Sequence, residues 1–334
     1  MQEARSQLAP FDIHGVILRL EGPPEVLSDV ARDLAWFASP GAAGRGIRIR
    51  ATLAQVPKGA IPPARARLQL PEAAVFDAGG IRYVDYQGQA LAVMDFAREQ
   101  AELIGPDPER LRELVYLLAL SRVGEHLDRR GIHRLHALGV RLGGKTLAVL
   151  MPEGGGKTTL ALALLAHTPA TLLSEDTPLA TRGGRLLPFP LRLAAREGTD
   201  LPFPPRHLRV FRRARHGAKR VVDLEAVADR VAPAAPVDAL LLGLRSSATE
   251  PEITALSRVR AFPAVAANLV FGLGLPQVVE FFLRGSAADA LGKGGIVASR
   301  LLTASALLAR ARVARFALCP DARLNALALA GWIR

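Results

Sequence analysis

Residues 151–159 read MPEGGGKTT, between the apolar run LAVL and the apolar run LALALLA. Three glycines, a lysine and two threonines at this spacing can hold a polyphosphate. Gly154, Gly155 and Gly156 have no side chains to keep backbone N–H groups away from phosphate oxygens. A helix starting near Lys157 points its positive end at the same place. Lys157 can reach β- and γ-phosphates, and the Thr158 hydroxyl can help hold Mg²⁺. The pattern for such a loop opens on glycine, and here Met151 takes that place. The expectation is a loop that binds ATP with Mg²⁺ through Glu153, Gly154, Gly155, Gly156, Lys157, Thr158 and Thr159.

A second pair of residues completes that chemistry. Glu175 and Asp176 follow the apolar segment TLLS, soon after the predicted loop and helix. Phosphoryl transfer needs an acidic partner for Mg²⁺ and a group that takes or orients the acceptor's proton. Neighbouring residues at a strand end point to opposite sides, so two adjacent acids can divide those roles.

Residues 136–176 resemble the catalytic core of HPr kinase/phosphorylase and its relatives, which share a P-loop fold with phosphoenolpyruvate carboxykinase. His136 ahead of a hairpin, the loop through Gly154, Gly156, Lys157 and Thr158, and the pair Glu175–Asp176 come in matching order. The phrase LLSEDTPL followed by LLPFPLRL is similar to HPr-kinase-related proteins of uncharacterised gene clusters. The chain departs from that pattern at Met151, at Glu153 where the family has Ser, and at Glu175 where it has Asp. Residues 192–198, RLAAREG, are at most a remnant of the family's glycine-rich signature. The resemblance implies that Glu175 acts as base on the acceptor hydroxyl. It places Asp176 with Thr158 at the Mg²⁺, and His136 beside the phosphates, where it tunes the acids. It also implies a homo-oligomer.

These groups need a scaffold. Strands are predicted over residues 11–20, 47–53, 66–70, 81–86 and 89–94, and a helix over 24–37. Residues 1–106 therefore read as a smaller α+β N-terminal unit. Asp107–Pro108 is a helix start, and a bridging helix is expected over 107–130, stopping at Gly131. A P-loop kinase-like domain of α/β class then fills 131–334. It holds a hairpin about Gly143–Gly144, the P-loop and its helix, a strand at 171–173, an extended edge at 186–193, a strand at 237–244, and mostly helical segments to the end. Arg206, Arg209, Arg212 and Arg213 recur at three- to four-residue spacing, as on one cationic helix face. Lys219 and Arg220 open a predicted strand within reach of an active site. His126, His133, His207 and His216 read as surface residues.

The chain has 334 residues, 50% of them hydrophobic, ample for a core. Its one cysteine, Cys319, excludes an intrachain disulfide and a cysteine zinc site. With no signal-peptide pattern at the N-terminus, this suits the cytoplasm. The uncharged stretch 261–279 contains Pro263, Asn268 and Pro276, and reads as buried helix–turn–helix rather than a membrane span. The net charge of +12 suits phosphate-bearing or acidic partners, while 5% aromatics leave little for stacking bases, so nucleic acid is not the expected partner. The expected function is ATP-dependent phosphoryl transfer to a serine-type hydroxyl on a protein or peptide. The alternative is a nucleotide-binding regulatory protein without transfer activity, and a third reading, a nucleic-acid-associated ATPase, rests on charge alone.

Overall fold

The computed structural model describes residues 6–7, 10–196, 201, 203–213, 217–270, 279–282 and 287–334. The chain opens with β1 Ser6–Gln7, β2 Phe11–Ile13, β3 Val16–Gly22, α1 Pro24–Asp33, β4 Ile47–Leu53, β5 Leu68–Leu70, β6 Ala73–Ala78, β7 Ile81–Asp85, β8 Leu91–Asp95, β9 Gln100–Gly105 and α2 Pro108–Arg129. It continues with β10 Ile132–Arg134, β11 Leu138–Leu142, β12 Lys145–Leu150, α3 Lys157–His167, β13 Thr171–Ser174, β14 Leu179–Thr181, β15 Arg185–Leu187, β16 Leu193–Arg196, β17 Leu208–Arg213 and β18 Gly217–Val222. Last come β19 Ala235–Pro236, β20 Ala239–Arg245, β21 Glu252–Ala255, α4 Arg258–Val270, α5 Val279–Phe282, α6 Ala287–Arg310, β22 Arg312–Leu318 and α7 Ala322–Ile333. The whole is mixed α/β, in two compact units.

The first unit comprises residues 1–126 with 212–217 and 277–284. Its nine-stranded sheet runs β1-β3-β4-β9-β8-β7-β6-β5, with β2 on β3. Strands β3, β4 and β9 are parallel, β5 to β9 form an antiparallel meander, and β1 and β2 each pair antiparallel with β3. The predicted strand over 11–20 is a hairpin, because His14 and Gly15 both take left-handed backbone (φ 50° and 83°) and reverse the chain. Strands β6 and β9 had no counterpart among the predicted elements; each joins neighbours that were predicted. Helix α2 starts where Asp107 Oδ1 accepts from the Glu109 N–H at 2.9 Å, and the chain turns away at Gly131, φ 73°.

The second unit comprises residues 127–211, 218–276 and 285–334. Its six-stranded sheet has the order β13-β11-β12-β20-β22-β21, with β12, β20 and β22 parallel. Alternation along β12 sends Leu147 and Val149 to one face and Ala148 and Leu150 to the other. The first face packs on Leu160 and Leu164 of α3 and Leu329 of α7. The second packs on Val265 of α4 and Leu307 of α6. Burial of each such leucine contributes roughly 1.5–3 kcal/mol. Smaller sheets run β10-β14-β15-β19 and β16-β18-β17.

Two expectations are corrected here. The basic block at 206–220 is not one helix face: a 3-10 turn at Pro205–His207 leads into the strands β17 and β18. Arg209 pairs with Asp223 at 2.6 Å, while the side chains of Arg212 and Arg213 and residue His216 lie outside the described residues. The chain after 244 is mostly helical, in α4, α5, α6 and α7, with β22 inserted between β20 and β21. His133 is not at the surface but fully buried. In the 261–279 stretch α4 forms despite Pro263, and 271–278 lie outside the described residues. No helix among the described residues is long and apolar enough to cross a membrane.

Candidate active site

The glycine loop lies between the C-terminal end of β12, in the middle of the sheet, and the first turn of α3. Gly154 (φ 70°) and Gly156 (φ 107°) take backbone that side chains disfavour. A Cβ on Gly155 would stand 2.9 Å from the Pro152 carbonyl oxygen, so this position admits only glycine without a shift. Met151 does not face the loop. It is 2% exposed, and a Cβ on Gly243 of the adjacent strand would come within 2.8 Å of its Cε. The methionine thus fills core space that Gly243 leaves open, while its carbonyl faces the loop and accepts a hydrogen bond from Lys157 at 3.0 Å.

Lys157 is 7% exposed, and its ammonium is closely surrounded. It donates to the Met151 and Pro152 carbonyls at 3.0 and 3.4 Å and to His136 Nε2 at 2.9 Å. Asp176 Oδ1 lies 3.4 Å away. Since His136 Nε2 accepts from Lys157, the proton of the neutral imidazole sits on Nδ1. Burial holds the His136 pKa below its ordinary value, and the charge on Lys157 adds to this against the opposing pull of Asp176 and Glu153. His136 Nδ1 is 3.4 Å from Asp176 Oδ1, yet buried without a hydrogen bond, because proximity there comes without alignment.

The backbone explains why His136 and the acids meet. Segments 132–142 and 171–181 run antiparallel, in β10/β14 and then in β11/β13. Between these ladders, Leu135 N–H donates to the Pro178 carbonyl and Ala137 N–H to the Asp176 carbonyl, both at 3.0 Å. The acids thus sit at the crossing from one sheet to the other. Thr158, on the first turn of α3, donates its hydroxyl to Glu175 Oε1 in a short contact and lies 3.3 Å from the Ala194 carbonyl of β16. Burial first, then the charge of Asp176, pushes the Glu175 carboxyl up to about 7, against Thr158, Lys157 and Lys219, which favour the carboxylate. Lys219, on β18, thus acts on Glu175 through its charge.

The structure brings together His136, Lys157, Thr158, Glu175 and Asp176 with Gly154, Gly155 and Gly156. Glu153 and Thr159 are exposed, and Glu153 acts on His136 only through its charge. One residue outside the motif reading joins them: Arg245, whose Nε donates to the Gly155 carbonyl at 3.4 Å. Its one signal in sequence was its place at the end of the apolar run LLLGLR, since parallel strands bring ligands to their C-terminal ends.

A separate cluster in the same unit joins Asp128, His133 and Ser299. His133 Nδ1 is 2.7 Å from Asp128 Oδ1, and its Nε2 is 2.7 Å from Ser299 Oγ. Arg300 holds Asp128 and the Val270 carbonyl, and Arg182 donates to Ser299 Oγ at 2.8 Å. The order Ser–His–Asp is that of a hydrolytic triad, but Ser299 is 3% exposed and lies in the middle of α6. Its helix uses the backbone N–H groups that an oxyanion would need. The cluster is a satisfied buried network that fastens β10 to α6.

No protein-family model and no curated protein matches the chain. Among solved structures, the Hpr(Ser) kinase/phosphatase from Coxiella burnetii is similar over 37% of this chain and 76% of its own, with 14% identity and a TM-score of 0.22. A likeness that low indicates a distant relationship at most and carries no argument about activity.

Proposed function

We propose that this chain is a P-loop phosphotransferase related to HPr kinases, which moves the γ-phosphoryl group of ATP to a hydroxyl on a protein or peptide in the cytoplasm. The observation that supports it is the ammonium of Lys157, buried at the mouth of a glycine loop between His136 and Asp176. Its carbonyl contacts are ones that phosphate oxygens can replace, with more charge and better geometry. The buried Nδ1–H of His136, which lacks an acceptor, is one more donor that a phosphate oxygen would satisfy.

The residues fit Mg²⁺ only together with a nucleotide. No cluster of three or more His, Cys, Asp or Glu among the described residues could hold a metal alone. Mg²⁺ binds through one or two protein groups, phosphates and water, and Thr158 with Asp176 would supply those protein groups. When bound, the ion would neutralise charge on the β- and γ-phosphates. Lys157 and the loop amides hold and orient the γ-phosphate. Glu175 takes the acceptor's proton as the acceptor oxygen bonds to phosphorus and the bridging oxygen leaves with ADP.

The test is calorimetric titration of Mg·ATP into wild type and Lys157→Ala. Loss of a charge-assisted contact is expected to weaken binding by about 1.5–3 kcal/mol, roughly ten- to hundredfold. Equal affinity would sink the proposal. Wild-type binding without transfer of label from γ-labelled ATP to any acceptor, water included, would leave the nucleotide-binding regulatory protein in its place.

A further inference from the structure

We propose that Arg245 is the cation that stabilises the transferring phosphoryl group, supplied from within the same chain; this rests on the phosphotransferase reading above. The argument begins with register. Strands β12 and β20 are parallel, and Leu150, the last residue of β12, pairs with Leu242. Beyond that pair β12 gives way to the glycine loop, while β20 continues through Gly243 and Leu244 to Arg245. Three residues of strand span about 10 Å, so β20 runs on beside the loop. Arg245 shares a strand face with Gly243, whose Cα points at Met151. That face looks toward the loop, and the guanidinium lies over it. Nε reaches the Gly155 carbonyl at 3.4 Å, and Nη2 lies 3.8 Å from where a Cβ on Gly156 would be.

A guanidinium has five N–H donors, and Arg245 uses one of them here. The others meet no acceptor among the described residues. The side chain is exposed and sits at the N-terminal end of α3, where a phosphate would lie. Among the described residues, two other cations near the site are already committed: Lys157 faces Asp176 at 3.4 Å, and Lys219 acts on Glu175. Three carboxylates, Glu153, Glu175 and Asp176, surround the same space. As the bond from phosphorus to the bridging oxygen breaks, negative charge grows on that oxygen and on the phosphoryl group. Among the described residues Arg245 has donors left to meet it, and its fork can hold two phosphate oxygens at once.

A residue that meets charge only as it develops should raise turnover without tightening ground-state binding. Three ligands separate the two effects: Mg·ADP, Mg with a non-hydrolysable ATP analogue, and Mg·ADP with aluminium fluoride, which mimics the transferring group. Each is titrated into wild type, Arg245→Ala and Arg245→Lys, and ATP hydrolysis with water as acceptor is measured alongside. For Arg245→Ala the expectation is hydrolysis slower by about a thousandfold, the lower range for such an arginine. The aluminium fluoride complex should weaken by about a hundredfold or more, while the other two ligands stay within about threefold. Arg245→Lys should recover only part of either loss. Hydrolysis within about threefold of wild type in Arg245→Ala would overturn the proposal. Equal weakening of all three ligands would overturn it too, and would make Arg245 a prop for the Gly155 carbonyl. If wild type binds none of the three, the phosphotransferase reading itself fails, and Arg245 falls with it.

Discussion

Glu175 exchanges between acid and carboxylate near neutrality, because burial and Asp176 raise its carboxyl to about 7. A base with that pKa suits catalysis at neutral pH. Turnover is therefore expected to rise about tenfold per pH unit in acid and level off near pH 7. Glu175→Gln should remove that limb and lower turnover by about a hundredfold or more. Asp176→Asn should instead weaken Mg²⁺-dependent nucleotide binding, since a neutral amide is a poorer ligand for a hard cation. The same carboxyl makes a stability claim of definite sign. Its folded pKa lies above the ordinary 4.5, so its contribution is full below 4.5 and is lost as pH rises through about 7. Above that the fold carries a half-buried carboxylate, and Glu175→Gln should be more stable than wild type at pH 8 by up to about 3 kcal/mol, with the gap closing by pH 5. Urea unfolding at the two pH values measures it. A variant with full turnover and no pH-dependent gain would make the acid pair an ordinary strand end.

At the scale of elements, β12, the loop and α3 were legible because they are contiguous: glycines, lysine and apolar runs all fall within one stretch of chain. The basic block misled because Arg206, Arg209, Arg212 and Arg213 fit a helical period, while Val210, Phe211, Val221 and Val222, which favour strands, fall in β17 and β18. Strand β22, RVARFAL, was missed for a similar reason: with both faces buried, its apolar residues do not alternate. The exchange of Met151 for a loop glycine makes sense only against β20, where Gly243 leaves the space. Met151→Gly should thus cost stability, by about 2–5 kcal/mol or more for emptying a core site. Nucleotide affinity should change by less than about tenfold, or 1.4 kcal/mol. Gly243→Ala should cost about 1–3 kcal/mol through its clash with Met151. In the double variant Met151→Ala/Gly243→Ala the added methyl enters the vacated space, so the combined loss should be smaller than the sum. Strict additivity in chemical denaturation would show that the two residues do not share that space. A large gain in affinity for Met151→Gly would show instead that the methionine cripples the loop.

At the scale of the whole molecule, chain order and spatial order part company, and sequence reading stops there. Arg245 reaches the loop through the pairing of Leu150 with Leu242, a long-range register that no local pattern announces. Helix α5 is a stronger case. It comes late in the chain, yet it folds with the first unit and is bound there by Arg82, a residue 198 positions earlier than its partner Glu280. Arg82 is fully buried. It forks onto Asp77 with two contacts of 2.8 Å, donates to the Glu280 carbonyl at 2.7 Å, and lies 5.4 Å from the Phe96 ring centroid. Removing the guanidinium leaves Asp77, partly exposed, with Arg67 at 3.2 Å and takes the donor from the Glu280 carbonyl, so Arg82→Ala should cost about 1–3 kcal/mol. The pair also carries a pH signature. The hydrogen bond from Arg82 holds the Asp77 pKa below the ordinary 3.8, so the contribution is present above that value and lost as pH falls through the folded pKa. The gap between wild type and Arg82→Ala in denaturant should therefore be widest near neutrality and shrink in acid. A gap independent of pH would mean that packing on Phe96 and the Glu280 carbonyl, rather than the ion pair, holds α5 in place.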